Sequence, residues 1–382
     1  MSAGYDYGNA RIRAMLGRLL KVADYERLLN QRSVEAFIAD MAETPYQPDL
    51  EAALRLESGI ASLNTAFRRN LTQALQKIRS FYEGEPRDLI TLLLHRWDRH
   101  NLLTILRGQS QEIAPEQILP NLVPVGRIDE ISLRELVRQP GLRATLDLMQ
   151  MWRLSYAAAL AAPGAADLDR LELALNQAHY AALRRALDPD FAAESPPTTA
   201  VGGSRTVQTE AAPPKRRDAN RALVWEEIQT AIDVANIGMV LRLLRRPELM
   251  ALLERRYENG PSALLIDGGG ITLHRLRRLL DQSATIETAI QGLANSRYGA
   301  ALAAGWQRYQ DPGGSFAAIE RELQRFQIER AAALIDRAPL TIAAPLAYLA
   351  RKEAEITNLQ LAAQAAALNL PREQVRAELI IV

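Results

Sequence analysis

An all-α fold is what this sequence predicts, on three observations. Apolar residues recur at three- and four-residue steps almost throughout, the period of one helix face. The two-residue alternation of a half-buried strand is nearly absent. Alanine, leucine, arginine and glutamate, all good helix formers, dominate the 382 residues.

The elements follow in chain order. Arg11 to Leu29 carries Ile12, Met15, Leu16, Leu19 and Leu20 on one face, with Arg11, Arg13, Arg18 and Lys21 elsewhere. Leu50 to Tyr82 continues a long amphipathic pattern interrupted by Arg68, Arg69, Gln73 and Lys77. Helix boundaries are expected at Thr44-Pro45, Pro120, Pro140 and Pro247, because proline lacks the amide hydrogen a helix interior needs. From about 188 to 220 the pattern stops. That stretch is rich in Pro, Ser, Thr and Gly with almost no large apolar side chain, so it reads as a flexible insert rather than a packed element.

Composition removes several function classes. With 46 basic against 45 acidic residues the net charge is +1, too balanced to neutralise a phosphate backbone, so no nucleic-acid partner is expected. The absence of cysteine excludes disulfides, thiolate metal sites and thiol nucleophiles. The opening residues lack a basic-then-apolar signal profile, and no run approaches 18 uncharged apolar residues, so neither secretion nor a membrane span is expected.

A search for chemistry ends with no catalytic, cofactor-binding or metal-ligating candidate. There is no GxxxxGK[ST] loop; Asp267-Gly268-Gly269-Gly270, without a following lysine, reads as a tight connection between helices. His95 and His100 stand five apart, about 140° around a helix, and so occupy different faces. Glu226-Glu227 reads as a solvated helix face rather than an acid–base pair.

What stands out is a motif that occurs three times: an acid, two residues, then Asn followed by Leu or Ile. The copies are Asp98 with Asn101, Asp233 with Asn236, and Glu355 with Asn358. Arg107 and Arg242 stand six residues after their asparagines, whereas the third copy has Gln364. A second marker precedes each copy, around Tyr46, Leu142 and Tyr298, at comparable distances once the insert is set aside. Three segments are therefore expected: 1–118, 119–250 carrying the insert, and 251–382. Acid and Asn, three apart, share a helix face. Asn inside a helix costs roughly 0.5–0.7 kcal/mol relative to alanine, so it needs a reason. Either each amide bonds the backbone of a packed neighbour, or the three faces line one central cavity and touch a partner.

The opening YDYGNARIRAMLGRLL, the phrases ETPYQPDLEAAL and RHNLLTILRG, and the C-terminal stretch from Pro345 to Ile380 resemble the family of V/A-type ATPase C subunits, called d subunits in eukaryotic complexes. The resemblance implies three pseudo-equivalent helical bundles around an approximate threefold axis, shaped as a funnel or socket. It implies a non-catalytic rotor connector, one copy per complex, on the cytoplasmic face of the membrane. Its implied partners are the central-stalk subunits of D and F type and the membrane proteolipid ring. A generic helical-repeat scaffold for soluble partners is the alternative, but such scaffolds repeat every 34 to 47 residues or so.

Overall fold

The computed structural model describes residues 4–161, 167–188 and 219–382, and among these there is no strand. The order is α1 (Asp6–Leu16), α2 (Val22–Leu28), α3 (Val34–Met41), α4 (Gln47–Leu54), α5 (Gly59–Ser80) and α6 (Gly84–Ser110). Next come α7 (Pro115–Ile118), α8 (Glu130–Val137), α9 (Leu142–Met151), α10 (Ala157–Ala161), α11 (Leu168–Leu187) and α12 (Ala219–Leu244). The remainder is α13 (Pro247–Arg256), α14 (Leu273–Gln282), α15 (Ile286–Gly292), α16 (Gly299–Gln310), α17 (Ala317–Ala332), α18 (Leu334–Arg337), α19 (Ala343–Leu368) and α20 (Arg372–Glu378). Most of the expected flexible insert, 189–218, lies outside the described residues.

Both long amphipathic stretches are broken. The first splits into α1 and α2 because residues 17–21 leave the helix, which frees the amide of Leu20 for a distant carboxylate. The second splits into α4 and α5 at a turn that needs Gly59 in the left-handed region, φ 62°. Periodicity registers faces and cannot see such short interruptions. The prolines mark ends as expected: Pro247 opens α13, Pro120 sits in the 3₁₀ turn Leu119–Asn121, and Pro140 lies between α8 and α9.

Among the described residues three large hydrophobic clusters form. One draws on Leu102 to Leu175 and a second on Ile237 to Leu323. The largest joins both ends of the chain, packing Ile12, Phe37, Met41 and Leu50 with Ile342, Leu346, Leu359 and Leu379. Each fully buried aliphatic side chain among these stabilises the fold by about 1.5–3 kcal/mol. Leu106 and Leu133 share a cluster, as do Leu243 and Leu276, so the cores span residues 118/119 and 250/251.

The six longest helices, α5, α6, α11, α12, α17 and α19, are the walls of a central cavity. The shorter helices pack outside them.

Candidate functional site

The three asparagines do the same thing. Asn101 donates from Nδ2 to the carbonyl of Val123 (2.8 Å), and its Oδ1 accepts from the amide of the same residue (2.8 Å). Asn236 clasps Ile266 at 2.8 and 2.8 Å, and Asn358 clasps Ile380 at 2.8 and 3.0 Å. A carboxamide carries one acceptor and two donor hydrogens side by side, so it completes both backbone groups of one residue as a neighbouring strand would. In each case a leucine with extended backbone precedes the clasped residue: Leu122, Leu265 or Leu379. All three asparagines are buried, so each clasp satisfies backbone groups that would otherwise cost about 1–3 kcal/mol apiece.

The acids continue the clasp. Asp98 accepts the amides of Arg127 (2.9 Å) and Ile128 (3.0 Å). Asp233 accepts the amide of Ile271 (2.9 Å), the hydroxyl of Tyr298 (2.7 Å) and Nη2 of Arg297 (3.1 Å). Glu355 accepts the amide of Leu20 (2.5 Å), the hydroxyl of Tyr46 (2.6 Å) and Nζ of Lys352 (2.7 Å). In each case the residue after the amide donor, Asp129, Thr272 or Lys21, is the N-cap of the next helix, α8, α14 or α2. Leu20 therefore stands to the third copy as Ile128 and Ile271 stand to the first two. The first segment of the chain completes the last copy.

Glycine makes room for these carboxylates. A Cβ on Gly126 would lie 2.0 Å from Oδ1 of Asp98, and one on Gly269 would lie 2.3 Å from Oδ1 of Asp233. The glycine run at 267–270 is thus a seat for Asp233. Burial raises the Asp98 pKa against the opposing pull of its two amide donors.

The position three residues before each acid is buried in all three copies, as His95, Thr230 and Lys352. Burial holds His95 neutral, its pKa down at about 4. Lys352, also depressed by burial, is the one ammonium group of the three and pairs with Glu355 and Tyr46. Arg107 grips Glu172 of α11 with two bonds (2.6 and 2.7 Å), and Arg242 pairs with Glu320 of α17 (2.6 Å). Gln364 is exposed.

On their inner faces the six long helices enclose a cavity of about 660 Å³. Neither the acids nor the asparagines line it. Their neighbours do: Arg96, Arg99 and His100 on α6, Ala231, Val234 and Ala235 on α12, and Glu353, Ile356 and Thr357 on α19. Leu93, Leu183, Leu346 and Leu349 line it and are buried, whereas His100, Asn121 and Ala235 line it and are exposed. Two carboxylates sit inside, Glu353 paired with Arg96 and Glu227 with Arg330, and burial raises the pKa of both.

The family model for the ATP synthase (C/AC39) subunit matches residues 8–197 and 210–378. The chain belongs to that family. Similar proteins include the A-type ATP synthase C subunit of Methanococcoides burtonii, 25% identical over 381 residues, covering 100% of this chain and 95% of that one. The protein of the same name from Archaeoglobus fulgidus is 24% identical, covering 100% and 97%, and that from Pyrococcus horikoshii 24%, covering 94% and 86%.

For this C/AC39 subunit, the sequence located the acid–Asn helices but not what they hold. The clasped residues Val123, Ile266 and Ile380 follow their asparagines by 22, 30 and 22 residues, and a leucine before a β-branched residue at each is the one sequence signal they leave. Tyr46, Tyr156 and Tyr298 share a local arrangement, the carbonyl of each accepting the amide of a leucine four residues on, Leu50, Leu160 and Leu302. The phenol of Tyr156 lies 3.1 Å from Nδ1 of His179 instead of on the acid. Among the described residues no cluster could hold a metal ion and no helix is long and apolar enough to cross a membrane.

Proposed function

We propose that this protein is the non-catalytic central-rotor connector of its ATP synthase, a socket of three helical units around an approximate threefold axis that passes torque between the central stalk and the membrane proteolipid ring. One unit spans each of the two internal cores; the third is built from both chain ends. The observation that supports the reading is the cavity, walled by six long helices and lined both by buried leucines and by the exposed His100, Asn121 and Ala235. A rotor part needs a stiff body rather than moving catalytic parts, and close-packed helices tied by buried clasps supply stiffness. The stalk subunits of D and F type would seat in the cavity, with the chain held peripherally on the cytoplasmic face.

Because the chain has no cysteine, a single introduced thiol is unique. His100→Cys in the cavity lining, activated with a short crosslinker in the purified complex, should capture a central-stalk subunit. Capture of a peripheral stator subunit instead would sink the rotor assignment.

A further inference from the structure

The three copies of the clasp part company at one aromatic pair. Tyr46, Tyr156 and Tyr298 stand just ahead of α4, α10 and α16, and each packs edge-on against a ring of the next long helix. The partners are Phe67 on α5 (5.7 Å between centroids), His179 on α11 (6.1 Å) and Phe326 on α17 (5.2 Å). Tyr46 and Tyr298 have ordinary right-handed backbones, φ −86° and −93°, and give their hydroxyls to Glu355 and Asp233. Tyr156 has φ 72°, a conformation that costs a bulky residue energy, and its hydroxyl turns to Nδ1 of His179. Among the described residues Asp98 therefore takes only the amides of Arg127 and Ile128. Histidine accounts for the difference. Burial lowers its pKa to about 3, and a neutral imidazole offers a phenol an acceptor that the rings of Phe67 and Phe326 lack.

We propose that this copy is a two-position switch, in which the Tyr156 hydroxyl passes between His179 and Asp98 while the turn at 152–156 relaxes to the backbone of the other two copies. Both acceptors are at hand: His179 holds the phenol, and burial together with the nearby Asp98 charge pushes the phenol's pKa up. Opposing costs set the balance. On His179 the bond joins neutral groups and the backbone is strained; on Asp98 the bond is charge-assisted and the strain is released, but the buried His179 loses its partner. His179 lines the cavity, whereas the turn begins at Trp152, which is exposed beside Met151. The switch thus joins the cavity wall to an outer apolar surface, whatever occupies the cavity.

His179→Phe gives this copy the ring of the other two and tests the switch in the full chain. With Asp98 as a second acceptor the hydroxyl moves there, so the unfolding temperature should fall by no more than about 2 °C, and the Asp98 carboxyl, followed by carbon-13 NMR, should titrate at lower pH. Adding Tyr156→Phe to that variant should return the Asp98 titration toward its wild-type position, whereas Tyr156→Phe alone should leave it unchanged. A His179→Phe chain that unfolds well below the wild type, with Asp98 titrating as before, has a stranded hydroxyl and overturns the switch. So does a shift of Asp98 in the Tyr156→Phe chain, which would place the hydroxyl on the acid already. The wild-type chain supplies a measurement that needs no variant: by relaxation dispersion the amides of Tyr156 and Ile128 should exchange between two environments at one shared rate, and separate rates or none overturn the proposal.

Discussion

The first clasp and the third use the same asparagine grip but close it very differently. Asp98 takes backbone amides from a segment 29 and 30 residues away. Glu355 reaches an amide 335 residues distant and adds a tyrosine hydroxyl and a buried ammonium. On an unstructured chain, closing the longer loop costs about 2 kcal/mol more than closing the shorter. The third clasp is built from more and stronger bonds, which offset that difference. The lesson concerns where charge is worth burying: a countercharge three residues before the acid appears only at the seam, while His95 and Thr230 fill the same position with neutral groups.

That contrast is most directly broken at the seam cation. Lys352→Met leaves the Glu355 carboxylate buried without its countercharge and should lower stability by about 3–5 kcal/mol in urea denaturation. His95→Met, at the corresponding position, should change it by less than about 1.5 kcal/mol. Equal losses would mean that the seam has no special electrostatics.

The asparagines sharpen the likeness instead. Asn101→Ala, Asn236→Ala and Asn358→Ala each strand one backbone N–H and one carbonyl, and each should cost about 2–4 kcal/mol by the same measurement. A near-neutral effect at one of them would remove that copy from the set. Next in size, Gly126→Ala forces a methyl group against Asp98 and should destabilise by about 1–3 kcal/mol, whereas Gly17→Ala, with its nearest neighbour 3.6 Å away, should not. Smallest is Arg107→Ala. The arginine side of its ion pair with Glu172 is exposed to solvent, so thermal unfolding should register less than about 1 kcal/mol.

The helical class was legible because helix faces repeat over tens of residues. The acid and asparagine were legible because a polar pair recurring inside alanine-rich helices has to answer to something. What they answer to was not. The clasped partners are backbone atoms, and backbone groups leave no side-chain signature apart from the glycines at 126 and 269 that let the carboxylates approach. The seam was hidden for a related reason: Leu20 takes part through its amide, inside what its side chains present as one continuous helix. The cavity was hidden as well, since residues far apart in the chain, such as Arg96, Glu227 and Glu353, line it together only once the six helices pack.

Amide hydrogen exchange of Leu20, Ile128 and Ile271 tests most directly whether one clasp is used three times with the chain's first segment completing the last. Glu355→Gln should accelerate exchange at Leu20 by about tenfold or more and leave Ile128 and Ile271 unchanged, while Asp98→Asn should accelerate Ile128 alone. Unaltered exchange at Leu20 in the Glu355 variant would contradict the account.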